Sequence, residues 1–295
     1  MREPPFGNPE RACAEHLIAL AIAEDLGAAG DITALATIPA DARGQGQFVA
    51  RADGIIAGLP LVAMLAERFG TGDGWTPVLR DGAVVRRGDA LGTMEGSVRA
   101  LLSMERTALN FFQRLSGVAS LTSRFVAAVS GTCAVILDTR KTTPGWRALE
   151  KYAVRCGGGQ NHRIGLYDAV LIKDNHLAWL SQHDDPIGRA IAAARQQAPA
   201  RTIIEIEVDS LEQLDRALEC EPDIILVDNF GPDALTEAVR RRGAKAPKVL
   251  LEASGGITLE NVGALARTGV DRISVGALTH SAPALDIALD FEKTC

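Results

Sequence analysis

The feature that most constrains this sequence is a series of six short apolar runs in its second half, each followed by a stretch with helical periodicity. The runs start near residues 135, 170, 203, 224, 249 and 272. They are nearly continuous in Val, Ile and Leu, which is typical of parallel strands buried on both faces. Six successive βα units predict an α/β fold with a parallel barrel, open or incomplete, rather than a doubly wound sheet.

The first 115 or so residues have a different pattern. Helical periodicity over residues 10–27 is followed by two strand-like stretches with Asp-Gly and Gly-Asp turns, residues 44–59 and 79–96. A long amphipathic helix is predicted over residues 97–120. We therefore predict an N-terminal domain of residues 1–116, joined by the C-terminal segment 281–295, and a barrel domain of residues 117–280.

Composition and charge exclude several classes of protein. The formal net charge of −6 argues against a nucleic-acid-binding surface. No apolar stretch is long enough to cross a membrane, and the first residues have no apolar signal-peptide core. The five cysteines include no CxxC pair, which favours a reducing compartment. We expect a cytoplasmic protein that binds neither nucleic acid nor a membrane.

Cations follow the first two apolar runs. Arg140 and Lys141 stand side by side after the first run, and Lys173 ends the second. Residues 134–176 contain seven Arg or Lys and four Asp or Glu, so this segment is basic within an acidic protein. Chemistry in barrels is concentrated where strands end. The pattern predicts a small, strongly anionic ligand.

Carboxylates end the third and fourth runs. Glu207 and Asp228 at these positions suit a hard divalent cation such as Mg²⁺, which is commonly held by one or two carboxylates, substrate oxygens and water. The alternative is that they only neutralise neighbouring cations. Glu205 has the same parity as Glu207 on a strand, so the sequence does not decide which of the two faces the site. Lys173 suits either a Schiff-base nucleophile or a fixed cation.

Two glycine loops follow the last two runs. "EASGGIT" (252–258) and "SVGALTH" (274–280) each end a predicted strand and are expected to open a helix, where free N–H groups favour phosphate. The alternative is that the glycines only form tight turns. His162 and Arg163 follow a Gly-Gly-Gly turn and are expected to donate to an anion.

These stretches resemble the quinolinate phosphoribosyltransferase family, and the resemblance extends over residues 15–285. It is carried by "DTRKTTPGWRALEKYAV", "GGGQNHRIGLYDAVLIKDNH", "EASGGI", "SVGALTHS", "AIAEDLGAAGDITALATIPA" and "MERTALNFFQRLSGVAS".

The resemblance implies an N-terminal α/β sandwich domain, an open-faced α/β barrel and a homodimer or an assembly of dimers. It also implies a reaction that joins quinolinate to phosphoribosyl pyrophosphate and decarboxylates it. The products are nicotinate mononucleotide, pyrophosphate and CO₂, on the route to NAD. The reaction uses Mg²⁺ and no organic cofactor.

Individual residues receive roles from the same resemblance. Lys141, Glu207 and Asp228 are implied as catalytic, with the two carboxylates holding the ribose hydroxyls and the Mg²⁺ of the phosphoribosyl donor. Arg106 is implied to reach the active site of the neighbouring subunit. The remaining implied substrate-binding residues are Thr139, Arg140, His162, Arg163, Lys173, Ser254, Gly255, Gly256, Val275, Gly276 and Ala277.

Three other functions are compatible with the residues. A related phosphoribosyltransferase, associated with molybdate transport, takes nicotinate or another pyridine acid without decarboxylation. A Schiff-base lyase uses Lys173 as its nucleophile. A metabolite-binding barrel without catalysis leaves the combination of Lys141, Glu207 and Asp228 unexplained.

Overall fold

The computed structural model describes residues 4–182 and 184–291. Its helices are α1 Asn8–Leu26, α2 Ile32–Thr37, α3 Leu59–Arg68, α4 Val98–Ala128, α5 Arg147–Cys156, α6 Asp174–Leu180, α7 Pro186–Gln197, α8 Leu211–Cys220, α9 Pro232–Lys245, α10 Val262–Ala266 and α11 Ala277–His280. Its strands are β1 Arg43–Ala50, β2 Gly54–Ile55, β3 Trp75–Pro77, β4 Val84–Val85, β5 Ala90–Ser97, β6 Val135–Leu137, β7 Val170–Ile172, β8 Ile204–Val208, β9 Ile224–Asp228, β10 Leu250–Ser254, β11 Arg272–Ser274 and β12 Ile287–Phe291. None of the described helices combines the length and the hydrophobicity that spanning a bilayer requires.

The chain divides into two compact units. The first unit contains the described residues of 1–123, 142–158 and 278–295, and the second contains Arg124–Lys141 and Gly159–Ala277. The chain therefore leaves the first unit within α4, returns to it for α5, and returns again at its C-terminal end. The domain limits 1–116 and 117–280 stay a prediction.

The first unit is built on an antiparallel sheet with the strand order β12-β1-β5-β3. The central strand β1 places Phe48 opposite Leu289 on one side and Gly92 on the other. Phe48 is fully buried, and its ring packs edge-on against Trp75 and Phe112 at centroid distances of 5.5 and 6.1 Å. Aromatic packing of this kind stabilises a core beyond the burial of area alone.

The second unit contains one sheet with the order β6-β11-β10-β9-β8-β7, in which every strand pair is parallel. Its six strands are the six apolar runs of the sequence, which confirms the predicted α/β class with a parallel sheet and a separate N-terminal domain. Among the described residues, the outer strands β6 and β7 do not pair with each other, so this sheet is open.

Local signals explain why helices follow these strands. The Ser210 side chain accepts a hydrogen bond from the backbone N–H of Gln213 and caps α8, whose buried face is formed by Leu214, Ala217 and Leu218. In β9, four buried residues precede Asp228, which is half-buried. Because the strands are parallel, such terminal residues come together at one edge of the sheet.

The prediction that a helix opens at the Gly255-Gly256 loop is wrong. Residues 255–261 form a loop, and α10 begins only at Val262. The Asn261 side chain closes this loop, since Oδ1 accepts from the Thr258 N–H at 2.8 Å and Nδ2 donates to the Gly256 carbonyl at 2.9 Å. An Asn side chain that satisfies the backbone in this way competes with helix formation.

Candidate active site

The carboxyl edge of the parallel sheet carries oppositely charged side chains in contact. Lys173 directly follows β7, and its Nζ lies 2.5 Å from Oε2 of Glu207 on β8. The Lys173 side chain is 45% exposed and that of Glu207 is 15% exposed, so the pair faces solvent. An ion pair with a carboxylate is the arrangement of a fixed cation, and it disfavours the Schiff-base alternative.

A cavity of about 440 Å³ opens at this edge. Four carboxylates line it, from Asp174, Glu207, Asp209 and Asp228. Several carboxylate oxygens around a solvent-accessible space fit a hard cation such as Mg²⁺, which retains water and takes few protein ligands. The predicted pair Glu207 and Asp228 belongs to this set.

The glycine loop after β10 lies against Asp228. Gly255 has a φ of +87°, and a Cβ at this position would lie 2.3 Å from Asn229 Oδ1 and 2.9 Å from Asp228 Oδ1. Only glycine fits such a close approach. Asn229 in turn donates from Nδ2 to Asp228 Oδ2 at 2.8 Å. The structure therefore brings the predicted Ser254–Gly256 loop and the predicted catalytic carboxylate Asp228 together.

The cationic segment that follows β6, residues 139–141, is partly exposed to solvent. The backbone N–H of Lys141 donates to the Thr139 hydroxyl at 3.0 Å, and the Lys141 side chain is exposed. Burial lowers the pKa of the Arg163 guanidinium, and the positive charge of Arg140 lowers it further. Two guanidinium groups close enough to influence each other favour an anion between them.

The charged residues that end strands of this sheet are used together below. We call Arg140, Lys141, Lys173, Glu207 and Asp228 the edge cluster.

Asp138 organises the chain beside this cluster, a function that the sequence did not reveal. It is fully buried, and its carboxylate accepts from the backbone N–H of His162 at 2.9 Å and from Asn161 Nδ2 at 2.6 Å. These bonds hold the His162–Arg163 segment to the end of β6. The available signal was an acid directly after a buried run, which requires donors nearby.

The imidazole of His162 lies inside the unit between two carboxylates. Its Nε2 is 3.0 Å from Glu205 Oε2 and 3.3 Å from Glu252 Oε1, and Arg272 Nε donates to Glu252 Oε2 at 2.7 Å. The side chains of Glu205 and Glu252 are 2% and 0% exposed. We call His162, Glu205, Glu252 and Arg272 the buried cluster.

Opposing effects set the protonation of the buried cluster. Burial acts to lower the pKa of His162, but hydrogen bonds to Glu205 and Glu252 raise it to about 9. Burial also raises the pKa of Glu205. The Arg163 backbone N–H donates to Nδ1 at 2.8 Å. The proton that the cluster retains therefore lies between the imidazole and the carboxylates rather than on Nδ1.

The two glutamates of β8 have different environments. They lie on the same face of the strand because they are two residues apart. Glu207 reaches Lys173 at the edge, whereas Glu205 lies deeper, against His162. The sequence did not identify Glu252 and Arg272 as part of this region. The signal for Glu252 was a lone charge inside the apolar run "VLLEAS".

The structure also shows where other predicted site residues lie, but it does not test their roles. The Val275 N–H already donates to the Leu137 carbonyl at 2.9 Å, which fixes the start of the 275–277 loop. Arg106 is exposed on α4 in the first unit. The roles of these residues, and donation from His162 to an anion, stay predictions.

A larger cavity of about 990 Å³ also touches the buried cluster through His162, Glu205 and Arg272. Its remaining walls include Ile203, Asp223 and Val249, which directly precede strands. It therefore extends toward the amino ends of the strands. We place the candidate active site at the carboxyl edge, because Glu207, Asp228 and the Gly255 loop meet there and Arg140 and Lys141 follow a strand of the same sheet.

Known proteins share both halves of this architecture. Residues 118–290 match the family model for the quinolinate phosphoribosyl transferase C-terminal domain, and residues 31–116 match that for the N-terminal domain. A nicotinate-nucleotide pyrophosphorylase (carboxylating) of Mycobacterium leprae is 50% identical over 280 residues, with 94% of this chain and 96% of the relative covered. The chloroplastic enzyme of that name from Arabidopsis thaliana is 37% identical over 291 residues, with 94% of this chain and 82% of the relative covered.

A solved structure agrees with these matches. The nicotinate-nucleotide pyrophosphorylase from Francisella tularensis superposes with a TM-score of 0.88 at 35% identity, covering 99% of this chain and 100% of that structure. The likeness includes both compact units and the parallel sheet that carries the edge cluster. On these grounds, the chain belongs to the quinolinate phosphoribosyl transferase family.

Proposed function

We propose that this protein transfers the phosphoribosyl group of phosphoribosyl pyrophosphate to quinolinate and decarboxylates the product, forming nicotinate mononucleotide, pyrophosphate and CO₂ for NAD biosynthesis. The observation that carries the proposal is the edge cluster, in which cations and carboxylates share one sheet edge with the Gly255 loop. The cations suit an acid with two carboxylates. The carboxylates and the Gly255 loop suit a sugar with its phosphates.

In this proposal quinolinate is held by the cations of the edge cluster together with Arg163. Arg140 and Arg163 lie near enough for their charges to interact, and a carboxylate between them removes their mutual repulsion. Lys173 supplies a further positive charge that Glu207 holds in place. Lys141, on the exposed segment next to Arg140, is placed in our proposal at the reacting centre.

The phosphoribosyl donor occupies the carboxylate side. Glu207 and Asp228 accept hydrogen bonds from the ribose hydroxyls and would also hold Mg²⁺. When bound, that ion neutralises charge on the departing pyrophosphate. The loops 254–256 and 275–277 bind phosphate groups through the backbone. The close approach of Gly255 to Asp228 supports this arrangement, because it brings loop backbone next to a ribose-binding carboxylate.

The reaction needs no organic cofactor in this scheme. As the ribose C1–oxygen bond breaks, positive charge develops at C1, and a nearby carboxylate stabilises it. The pyridine nitrogen then bonds to C1 and becomes cationic. The C2 carboxyl then departs as CO₂ and leaves its bonding electron pair on C2. The adjacent cationic nitrogen stabilises this pair until C2 takes up a proton.

A second copy of the chain completes the site in our proposal. Arg106 is exposed on α4, so its guanidinium is available to another molecule. It would add a cation for the quinolinate carboxylates of the neighbouring subunit in a homodimer or an assembly of dimers. Residues shared across an interface of this kind make catalysis depend on assembly.

In the direct test, the purified protein is incubated with phosphoribosyl pyrophosphate, Mg²⁺ and either quinolinate or nicotinate. The nucleotides that form are separated by chromatography. We expect nicotinate mononucleotide from quinolinate and little from nicotinate. Product from nicotinate alone would identify the non-decarboxylating alternative. Binding of quinolinate without product from either acid would contradict an enzymatic role.

A further inference from the structure

The buried cluster contains three ionisable groups to which the proposed reaction gives no direct role, Glu205, Glu252 and Arg272, and all three surround His162. Glu205 and Glu252 are almost completely buried, and the imidazole between them is 9% exposed. Buried ion pairs of this kind commonly add little net stability, because desolvation offsets their attraction. Their geometry is therefore the more informative property.

A metal ion is the first ligand to consider, since nitrogen and carboxylate atoms of three of these side chains lie within 4.8 Å of one another. The hydrogen bonds argue against it. The Arg163 N–H donates to Nδ1, so the hydrogen of the neutral imidazole lies on Nε2 and points at the carboxylates. A metal would need the Nε2 lone pair, and Arg272 already occupies one oxygen of Glu252.

The contacts instead form a continuous chain toward the substrate-binding segment. Arg272 Nε fixes one oxygen of Glu252 at 2.7 Å. The other oxygen, Oε1, is buried and faces His162 Nε2 at 3.3 Å, and within residues 4–182 and 184–291 it has no hydrogen-bond partner of normal geometry. On its far side the same imidazole accepts from the Arg163 N–H. The orientation of the ring thus links Glu252 to the backbone of Arg163.

We propose that Glu252 and Arg272 are positioning residues, which lock the imidazole of His162 and through it set the backbone that presents Arg163 to the carboxylates of the substrate. This inference rests on the proposed function, because Arg163 is assigned there to quinolinate. It predicts that the buried cluster controls affinity for the acid and leaves affinity for the phosphoribosyl donor unchanged.

The test variant is Glu252→Gln, which keeps the shape of the side chain. Its amide either turns a donor toward the Nε2 hydrogen or gives up the bond from Arg272. The ring then loses one of its two carboxylate contacts and keeps only the one to Glu205. We expect the KM for quinolinate to rise about tenfold, while the KM for phosphoribosyl pyrophosphate changes by less than about twofold. Steady-state kinetics with each substrate varied in turn measures the difference.

Two controls separate positioning from loss of stability. Leu251→Val alters a fully buried neighbour whose side chain points to the other face of β10, so it weakens packing without touching the cluster. It should leave both KM values unchanged. In a His162→Asn background, Glu252→Gln should have no further effect on the KM for quinolinate, because its action passes through the imidazole. If Glu252→Gln does not fold, Arg272→Lys replaces it, with an expected rise of about threefold.

Several results would overturn the inference. These are an equal rise in both KM values, an effect that persists in the His162→Asn background, or a stoichiometric metal ion in the isolated wild-type protein that Glu252→Gln loses. A wild-type protein that makes no nicotinate mononucleotide from quinolinate would instead defeat the proposed function. An active wild type with an unchanged Glu252→Gln variant defeats the positioning role alone.

Discussion

The edge cluster and the buried cluster belong to the same unit but differ in how far their charged side chains are exposed to solvent. At the edge, Lys173 is 45% exposed and carboxylates line an open cavity. Deeper in the unit, Glu252 is 0% exposed, and its neighbours are His162 and Arg272. Glu205 belongs to the buried cluster and Glu207 to the edge cluster, although only one residue separates them on β8.

This contrast teaches that charge near an active site can have two uses. Exposed charges can exchange their protein partners or water for a substrate, so they are suited to binding and chemistry. Enclosed charges are held against each other and away from water, so they are suited to holding geometry. Variants at the edge should therefore change catalysis strongly, and variants in the buried cluster should act through position and stability.

The largest effect is expected from the edge. Lys141→Ala removes the cation proposed at the reacting centre, and we expect kcat/KM to fall about a thousandfold, which is about 4 kcal/mol of transition-state stabilisation. Steady-state assays would measure this, with circular dichroism and gel filtration as controls for folding and assembly. Activity within tenfold of the wild type would contradict the role of Lys141.

The second prediction tests whether a second copy of the chain completes the active site at the edge cluster. Arg106→Ala and Lys141→Ala should each be nearly inactive alone, yet freely exchanging equal mixtures should regain about a quarter of wild-type activity. Half of the dimers are then mixed, and each mixed dimer has one intact site of two. Mixtures that exchange subunits and stay inactive would show that Arg106 does not act across an interface.

A smaller effect should distinguish the two substrates at the edge. Asp228→Asn removes a carboxylate charge proposed to hold ribose and Mg²⁺, so the KM for phosphoribosyl pyrophosphate should rise about tenfold, with little change for quinolinate. Glu219→Gln, on the exposed surface of α8, is the matched control and should leave both KM values unchanged. A larger effect of Asp228→Asn on quinolinate would reverse our assignment of the two sides.

The buried cluster should instead make stability depend on pH. Hydrogen bonds to Glu205 and Glu252 raise the pKa of His162 from 6.5 to about 9, so the folded protein holds the proton that the imidazole shares with these carboxylates more tightly than the unfolded chain does. This contribution is fully present below pH 6.5 and is lost as the pH rises through 9, amounting to at most about 3 kcal/mol. Urea unfolding at pH 6 and pH 9.5 should show a decrease for the wild type that is much smaller in His162→Asn. Equal decreases in the two proteins would contradict this coupling.

The sequence predicted the sheet well because its signal is local. Continuous apolar runs such as "DIILV" identify buried parallel strands without knowledge of their partners. Asp228 was found in the same way, as the first charge where such a run ends. Glu207 shares its run with Glu205, and only the structure shows that Glu207 reaches Lys173 at the edge whereas Glu205 lies against His162. The structure brings Asp228 and Gly255 together, as the shared carboxyl edge of parallel strands predicts.

The parts that the sequence did not predict depend on contacts between distant residues. Glu252 meets Arg272 because β10 and β11 pair in a register that places the two side by side, and no local pattern specifies that register. The late start of α10 depends on the Asn261 side chain, which closes the preceding loop. Charges inside apolar runs indicated that partners must exist, but not which ones.

The most direct measurement follows quinolinate labelled in its C2 carboxyl group, with phosphoribosyl pyrophosphate and Mg²⁺, and counts released CO₂ against nicotinate mononucleotide. We predict one CO₂ for each mononucleotide in the wild type, and neither product above background in Lys141→Ala. Mononucleotide formation without labelled CO₂, or release of CO₂ without mononucleotide, would contradict the coupled transfer and decarboxylation that we assign to the edge cluster.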